Sequence, residues 1–182
     1  MRMISAAMAL GLTLVCSGAA SAQTAAAEPE RVQRDARERV PAALLGTWKA
    51  DIAASTYART PPREHFRSFQ YTADGKLMVS FLTLGATGAQ SAGHWAVQLD
   101  GTPGLEYFAA NGSTPYAEIR LTPVDDRTFT VTNARAGVQE ATATYALSDE
   151  GRVLTITRTP VHGDRTVVVY HRWGAEPSTP AA

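Results

Sequence analysis

A single cysteine, Cys16, is present, and it falls within the first 22 residues. If those residues are removed, the remaining chain has no disulfide, no thiol nucleophile and no thiolate metal ligand. Excess charge of either sign is also missing. The 17 basic residues equal the 17 acidic ones, and without Arg2 the balance is 16 against 17. No basic stripe of the kind nucleic acid requires is present, so no nucleic-acid partner is expected. Long apolar runs are scarce: the stretch 8–16 is about half the ~20 residues that a membrane span needs. No transmembrane segment is therefore expected in the mature chain. Internal repeats are not visible.

The N-terminus carries the features of a secretory signal peptide. Arg2 supplies the positive start, residues 8–16 (MALGLTLVC) the apolar stretch, and residues 17–22 (SGAASA) end in Ala-Ser-Ala. That small-x-small pattern predicts cleavage after Ala22 and export to the periplasm or medium. Val15, rather than a small residue, precedes Cys16, which argues against a lipid anchor. The remaining ~160 residues suit one domain, large enough to bury roughly two thirds of its unfolded surface.

Residues 23–43 form a charged leader, expected to be flexible or a short helix opened by Pro29. Glu30 and Arg34, then Asp35 and Arg39, pair at i,i+4, while only Val32 and Val40 offer an apolar face, so a solvated leader is expected. From residue 44 to 174 the pattern becomes short period-two runs between turn residues. Strands are predicted at 44–52, 66–72, 76–84, 94–99, 105–108, 116–122, 127–133, 138–147, 152–159 and 165–173. Asp74-Gly75, Asp100-Gly101 and Gly163-Asp164 mark turns, and Pro61-Pro62 a loop. Residues 175–182, with Pro177 and Pro180, are expected to be a disordered tail. No helical crossover long enough for a parallel sheet intervenes. The predicted fold is therefore all-β, a single antiparallel up-and-down barrel of about 8–10 strands, with a β-sandwich as the alternative.

Gly46-Thr47-Trp48-Lys49 in the first strand resembles the Gly-x-Trp signature of the lipocalin and calycin barrels. In those barrels the tryptophan plugs one end and an arginine of the last strand packs over it. The resemblance implies that Trp48 and Arg172 are that barrel-closing pair. A guanidinium can stack on an indole face while its donors cap strand carbonyls. The longer run through Tyr57, followed by Pro61-Pro62, is similar to small secreted bacterial proteins of unknown function with a lipocalin-like domain. Their first strand reads Gly-Thr-Trp-Lys-Leu-Asn-x-x-x-Ser-x-Tyr. His94-Trp95, Leu99-Asp100-Gly101 and Tyr107 look like further positions of that group. The resemblance spans residues 44–173 and implies a barrel and export, with no established activity.

Residues suited to chemistry are sparse. His65, His94, His162 and His171 lack a partner at i+2, i+3 or i+4, and no His-Glu-x-x-His occurs, so no metal site or cofactor is expected. Ala89-Gln90-Ser91-Ala92-Gly93 comes near a nucleophile elbow but lies between two predicted strands, as a hairpin loop would. Most aspartates sit in turns, so no catalytic residue is assigned. Glu106, Glu118 and Glu140 fall within strands and could face a lumen. Arg59, Arg63 and Arg67, with His65, would attract an anionic head group if the first loop covers a barrel mouth.

The function expected first is an exported, monomeric, non-enzymatic binding module for a small apolar or amphipathic ligand. Phe66, Phe81, Trp95, Tyr107, Phe108, Phe129, Tyr145 and Tyr170 are the candidate lining residues, unless the same aromatics fill a solid core. A protein-interaction barrel such as an extracellular protease inhibitor is the alternative, with residues 23–39 as the entering segment. An enzyme or a haem-binding barrel comes third. His171 would be the haem ligand there, although it shares a strand face with Val167, Val169 and Trp173 and reads better as a packed histidine.

Overall fold

The computed structural model describes residues 36–109 and 115–174. The proposed signal peptide, the first part of the leader (23–35) and the 175–182 tail lie outside the described residues. Ten strands follow in chain order: β1 (Gly46–Thr56), β2 (Glu64–Tyr71), β3 (Leu77–Leu84), β4 (Gln90–Val97), β5 (Gly104–Phe108), β6 (Ala117–Pro123), β7 (Thr128–Arg135), β8 (Val138–Leu147), β9 (Val153–Pro160) and β10 (Thr166–Arg172). Each pairs antiparallel with its sequence neighbours, and β10 pairs back to β1, so the sheet closes into a barrel. Closure leaves no strand edge exposed, which is how a meander of this length avoids edge-to-edge association.

Period-two alternation decides which residues face inward. Along β1 the buried positions are Trp48 and Ala50; along β8 they are Ala141, Ala143, Tyr145 and Leu147. The opposite faces of β7, β8 and β9 carry threonines in register, such as Thr130 beside Thr144 and Thr144 beside Thr157. Branched at Cβ and polar at the tip, threonine suits a strand face turned to water. An apolar interior and a hydroxyl-rich wall are the reverse of the arrangement in lipid-facing barrels.

One end of the barrel is sealed. Trp48 is fully buried and donates its indole N–H to Leu44 O at 2.9 Å. The Arg172 guanidinium lies 4.7 Å over the indole, and its Nη1 donates to Leu45 O at 2.5 Å. Its Nη2 donates to Ala43 O. Gly46 makes this stack possible. Its φ of +103° lies where glycine is favoured, and a Cβ there would stand 2.9 Å from Arg172 Nη1.

The chain before β1 completes the seal and departs from the sequence reading. Residues 36–44 make two short 3-10 helices, Ala36–Glu38 and Ala42–Leu44, within the reach of the expected short helix but packed onto the barrel rather than solvated. Ala36, Val40 and Leu44 recur at i,i+4 and are all buried. Ala36 N donates to Gly75 O at 2.9 Å, and Tyr71 Oη donates to Val40 O at 2.8 Å. The segment thus plugs the end against the β2–β3 turn. A second departure is β4, which starts at Gln90 rather than 94. Gln90 and Ser91 pair with Leu84 and Thr83, leaving a tight turn closed by Gly85 N to Ala89 O at 2.7 Å.

Truncating Arg172 to Ala removes the stack and orphans two carbonyls. The expected loss is about 2–3 kcal/mol of unfolding free energy, read from urea denaturation. Arg172→Lys should recover less than half of that loss, because one ammonium cannot cover the ring and reach both carbonyls. A loss below about 0.5 kcal/mol for the alanine variant would contradict the proposed role.

Candidate functional site

The barrel interior changes character along its axis. At the sealed end the inward residues are large and solvent-free: Trp48, Phe69, Leu77, Phe129 and Leu154. Toward the other end, β4, β6 and β8 turn small residues inward, namely Gly93, Ala117, Ala141 and Ala143. Ala117, Ala141 and Ala143 are nevertheless buried. His65, Arg67, Phe81, Phe108 and Asn133, also inward, keep partial exposure.

A polar cluster sits at this boundary. Arg67, on β2 between Trp48 of β1 and Phe81 of β3, points inward and donates from Nη1 to Tyr145 Oη at 2.8 Å. It also hydrogen-bonds the Tyr170 hydroxyl. That hydroxyl lies 3.3 Å from His65 Nδ1, with the two rings edge to face at 5.5 Å. The Arg67 guanidinium carbon lies 5.5 Å from the centre of the Phe81 ring. Phe81 meets Phe108 at 5.2 Å, and Phe108 meets Tyr116 at 4.6 Å, so aromatic surface runs from Arg67 toward the rim. Gly93 is required here, because any Cβ at that position would collide with the Phe81 ring.

Burial and mutual charge set the protonation states. Burial works against the Arg67 cation, yet Tyr145, Tyr170 and Glu106 together hold its pKa above the ordinary value. Burial, and then the neighbouring Arg67, depress His65 to about 3, so the imidazole is neutral near pH 7. Tyr145 and Tyr170 are pushed up by burial, with Arg67 opposing. Glu106 is inward and 7% exposed. Burial raises its pKa against Arg67, Arg158 and a hydrogen bond from Asn133. No carboxylate among the described residues lies within ion-pair distance of Arg67.

Above this cluster a cavity of about 630 Å³ occupies the rim. It lies between the β1–β2 loop, with Tyr57, Arg59 and Thr60, and the β9–β10 loop, with His162 and Asp164. Tyr116, Arg158 and Thr166 complete it. Tyr57 belongs to both regions, since its hydroxyl also interacts with Tyr170.

The eight candidate lining aromatics divide by strand parity. Phe81, Trp95, Phe108, Phe129, Tyr145 and Tyr170 are inward, but Trp95, Phe129, Tyr145 and Tyr170 belong to the packed core. Phe66 and Tyr107 are on the outer wall. Phe66 packs on Trp173 at 5.4 Å beneath Lys49, and Tyr107 stacks on His94 at 5.5 Å. Of the cationic candidates, Arg67 enters the interior, Arg59 lines the rim and Arg63 is exposed. Glu106 faces inward, whereas Glu140 is on the outer face opposite Arg135 at 3.3 Å. His171 is outward, 3.7 Å from Asp51. Tyr57, Asn133 and Arg158 were not among the candidate residues. Arg158 had a sequence signal, because it alternates with the inward Leu154 and Ile156.

Among the described residues no three His, Cys, Asp or Glu converge as a metal site requires, and no helix is long and apolar enough to cross a membrane. Compared with known proteins, the chain matches no family model and no curated relative.

The depressed His65 gives a pH prediction. Above pH 6.5 the imidazole is neutral in both folded and unfolded chains, so it adds no slope. Between 6.5 and about 3 the unfolded chain binds a proton that the folded one refuses. Stability then falls with pH by up to about 1.4 kcal/mol per unit. Urea denaturation of wild type and His65→Gln at pH 7 and pH 4.5 should show the wild type losing about 1–2 kcal/mol more than the variant. Glu106, whose raised pKa favours the fold at low pH, contributes equally to both proteins and cancels. Equal losses would contradict a buried, neutral His65.

Proposed function

We propose that the protein is an exported, calycin-like carrier that holds a small amphipathic ligand in the open half of its barrel. The observation that carries this reading is the change inside the bore. Large packed side chains give way to Gly93, Ala117, Ala141 and Ala143 where a buried cation and a line of aromatics begin. Ligand sites of this kind are concave and mostly apolar, with a few convergent polar groups that fix orientation. The rim cavity of about 630 Å³ lies in the range for one small ligand.

A non-enzymatic role fits the protonation states. At about 3, His65 is too weak a base to take up a proton near neutrality. The two buried phenols are shifted the wrong way for acid–base work. The residues nearest the space therefore hold and orient. Their settings do not suit proton transfer.

A protein-interaction role is the second reading. A groove of about 580 Å³ along β3 to β5, lined by Met78, Ala92, His94 and Tyr107 together with Phe81 and Phe108, favours it. Export of the full chain in a bacterial host, followed by native mass spectrometry, tests the carrier reading. A periplasmic product beginning at Gln23, with one small molecule per chain or stabilised by a lipid extract, is the expected result. Ligand at 100-fold excess over Kd would add about 2.7 kcal/mol to stability. Recovery of a protein partner with no bound or stabilising small molecule would favour the second reading instead.

A further inference from the structure

The rim cavity is lined by charge of both signs that the fold does not pair. Arg59, in the β1–β2 loop, and Asp164, in the β9–β10 loop, both line it and both are exposed. Neither makes an ion pair with another described residue. Arg158, the other guanidinium of the lining, already acts on Glu106 and Tyr145 within the barrel. The two loops are held side by side by the strands they extend. Thr56 pairs with Val167 and Arg158 with Thr166, and Ala58 N donates to Thr166 Oγ1 at 3.4 Å. Val161 N donates to Glu140 O at 2.9 Å, which fixes the β9–β10 loop to β8. The charges therefore stand on anchored loops, and little further ordering is needed to present them. Tyr57, Tyr116 and Pro160 give the same lining its apolar surface.

We infer that the rim cavity binds a short zwitterionic peptide, its C-terminal carboxylate on Arg59 and its N-terminal ammonium on Asp164. The inference rests on the carrier reading and names the small amphipathic ligand as an apolar peptide with free ends. Complementarity to the whole lining selects this class. An anion alone would face Asp164, and a cation alone would face Arg59 and Arg158. An uncharged apolar ligand would cover both signs and pair neither. A molecule with a carboxylate at one end and an ammonium at the other meets each group with its opposite, and charge capture of peptide ends is a recurring mode of recognition. The His162 ring and the Thr166 hydroxyl can serve the backbone between those ends. A volume of about 630 Å³ lies in the range for drug-sized molecules, the size of two or three residues. Exposed ion pairs are individually weak, so affinity depends on engaging both ends at once.

Isothermal titration calorimetry of the mature protein with alanyl-leucyl-alanine tests this against the same peptide N-acetylated, C-amidated or blocked at both ends. The free peptide should bind one per chain. Blocking either end should weaken binding about three- to fivefold, and blocking both about tenfold or more. Variants then assign each end to its partner. Asp164→Asn should abolish the cost of acetylation and keep that of amidation, and Arg59→Gln should do the reverse. Both are exposed loop residues, so the barrel is retained; Arg63→Gln, outside the cavity, should keep both preferences. Equal affinity for free and blocked peptides, or a preference that neither substitution changes, overturns the peptide assignment. So does failure of the free peptide to bind while a lipid extract stabilises the protein, and the carrier reading then stands. If neither peptide nor extract has an effect, both are overturned.

Discussion

The stack of Arg172 on Trp48 is the contact on which the rest of the barrel depends. It joins the first strand to the last, and so converts a meander with two edges into a closed wall. It also ties the chain before β1 to the barrel through the carbonyls of Ala43 and Leu45. Closing the ends of a long chain carries an entropic cost, and the β1–β10 pairing spans more than 120 residues. A buried indole, a cation over its face and a glycine that admits the cation offset that cost at one place.

This division of labour explains the composition of the interior. The sealed half is packed with aromatic and branched residues, which stabilise by removing apolar surface from water. The other half has alanine and glycine facing in on alternate strands, with the alanines buried and His65, Arg67, Phe81 and Phe108 partly exposed. A buried guanidinium is affordable only because phenol dipoles and a distant carboxylate support it. The neutral His65 lies within hydrogen-bond distance of the Tyr170 hydroxyl and adds no second positive charge beside Arg67.

The architecture was legible because strand alternation and turn chemistry are local. Ten runs, their order and the closure between first and last follow from short patterns such as Asp74-Gly75 and from the Gly46-x-Trp48 resemblance. What was harder to read was parity: which face of each strand turns inward. In β2 a preference for aromatics favours Phe66, yet the face with His65, Arg67, Phe69 and Tyr71 is the inward one. Phe66 shares the outer face with Glu64, Ser68 and Gln70, so the companion residues carried the signal and the single aromatic misled. The five-residue β5 gives too short a pattern to separate Tyr107 from Phe108. The plug was missed for another reason: Ala36, Val40 and Leu44 have the i,i+4 spacing of a buried face, but alanine beside charged neighbours gives little hydrophobic contrast. The pairing of Arg67 with Tyr145, 78 residues away, is tertiary and no local pattern announces it.

Native-state hydrogen exchange, resolved by residue, tests the central claim that the barrel is sealed and solid at one end and loose at the other. Amides of Trp48, Phe69, Leu77 and Leu154 should exchange only through global unfolding, with protection matching the full unfolding free energy. Those of Ala92, Gly93, Phe108 and Ala117 should exchange through smaller openings. Uniform protection along the strands would contradict the account.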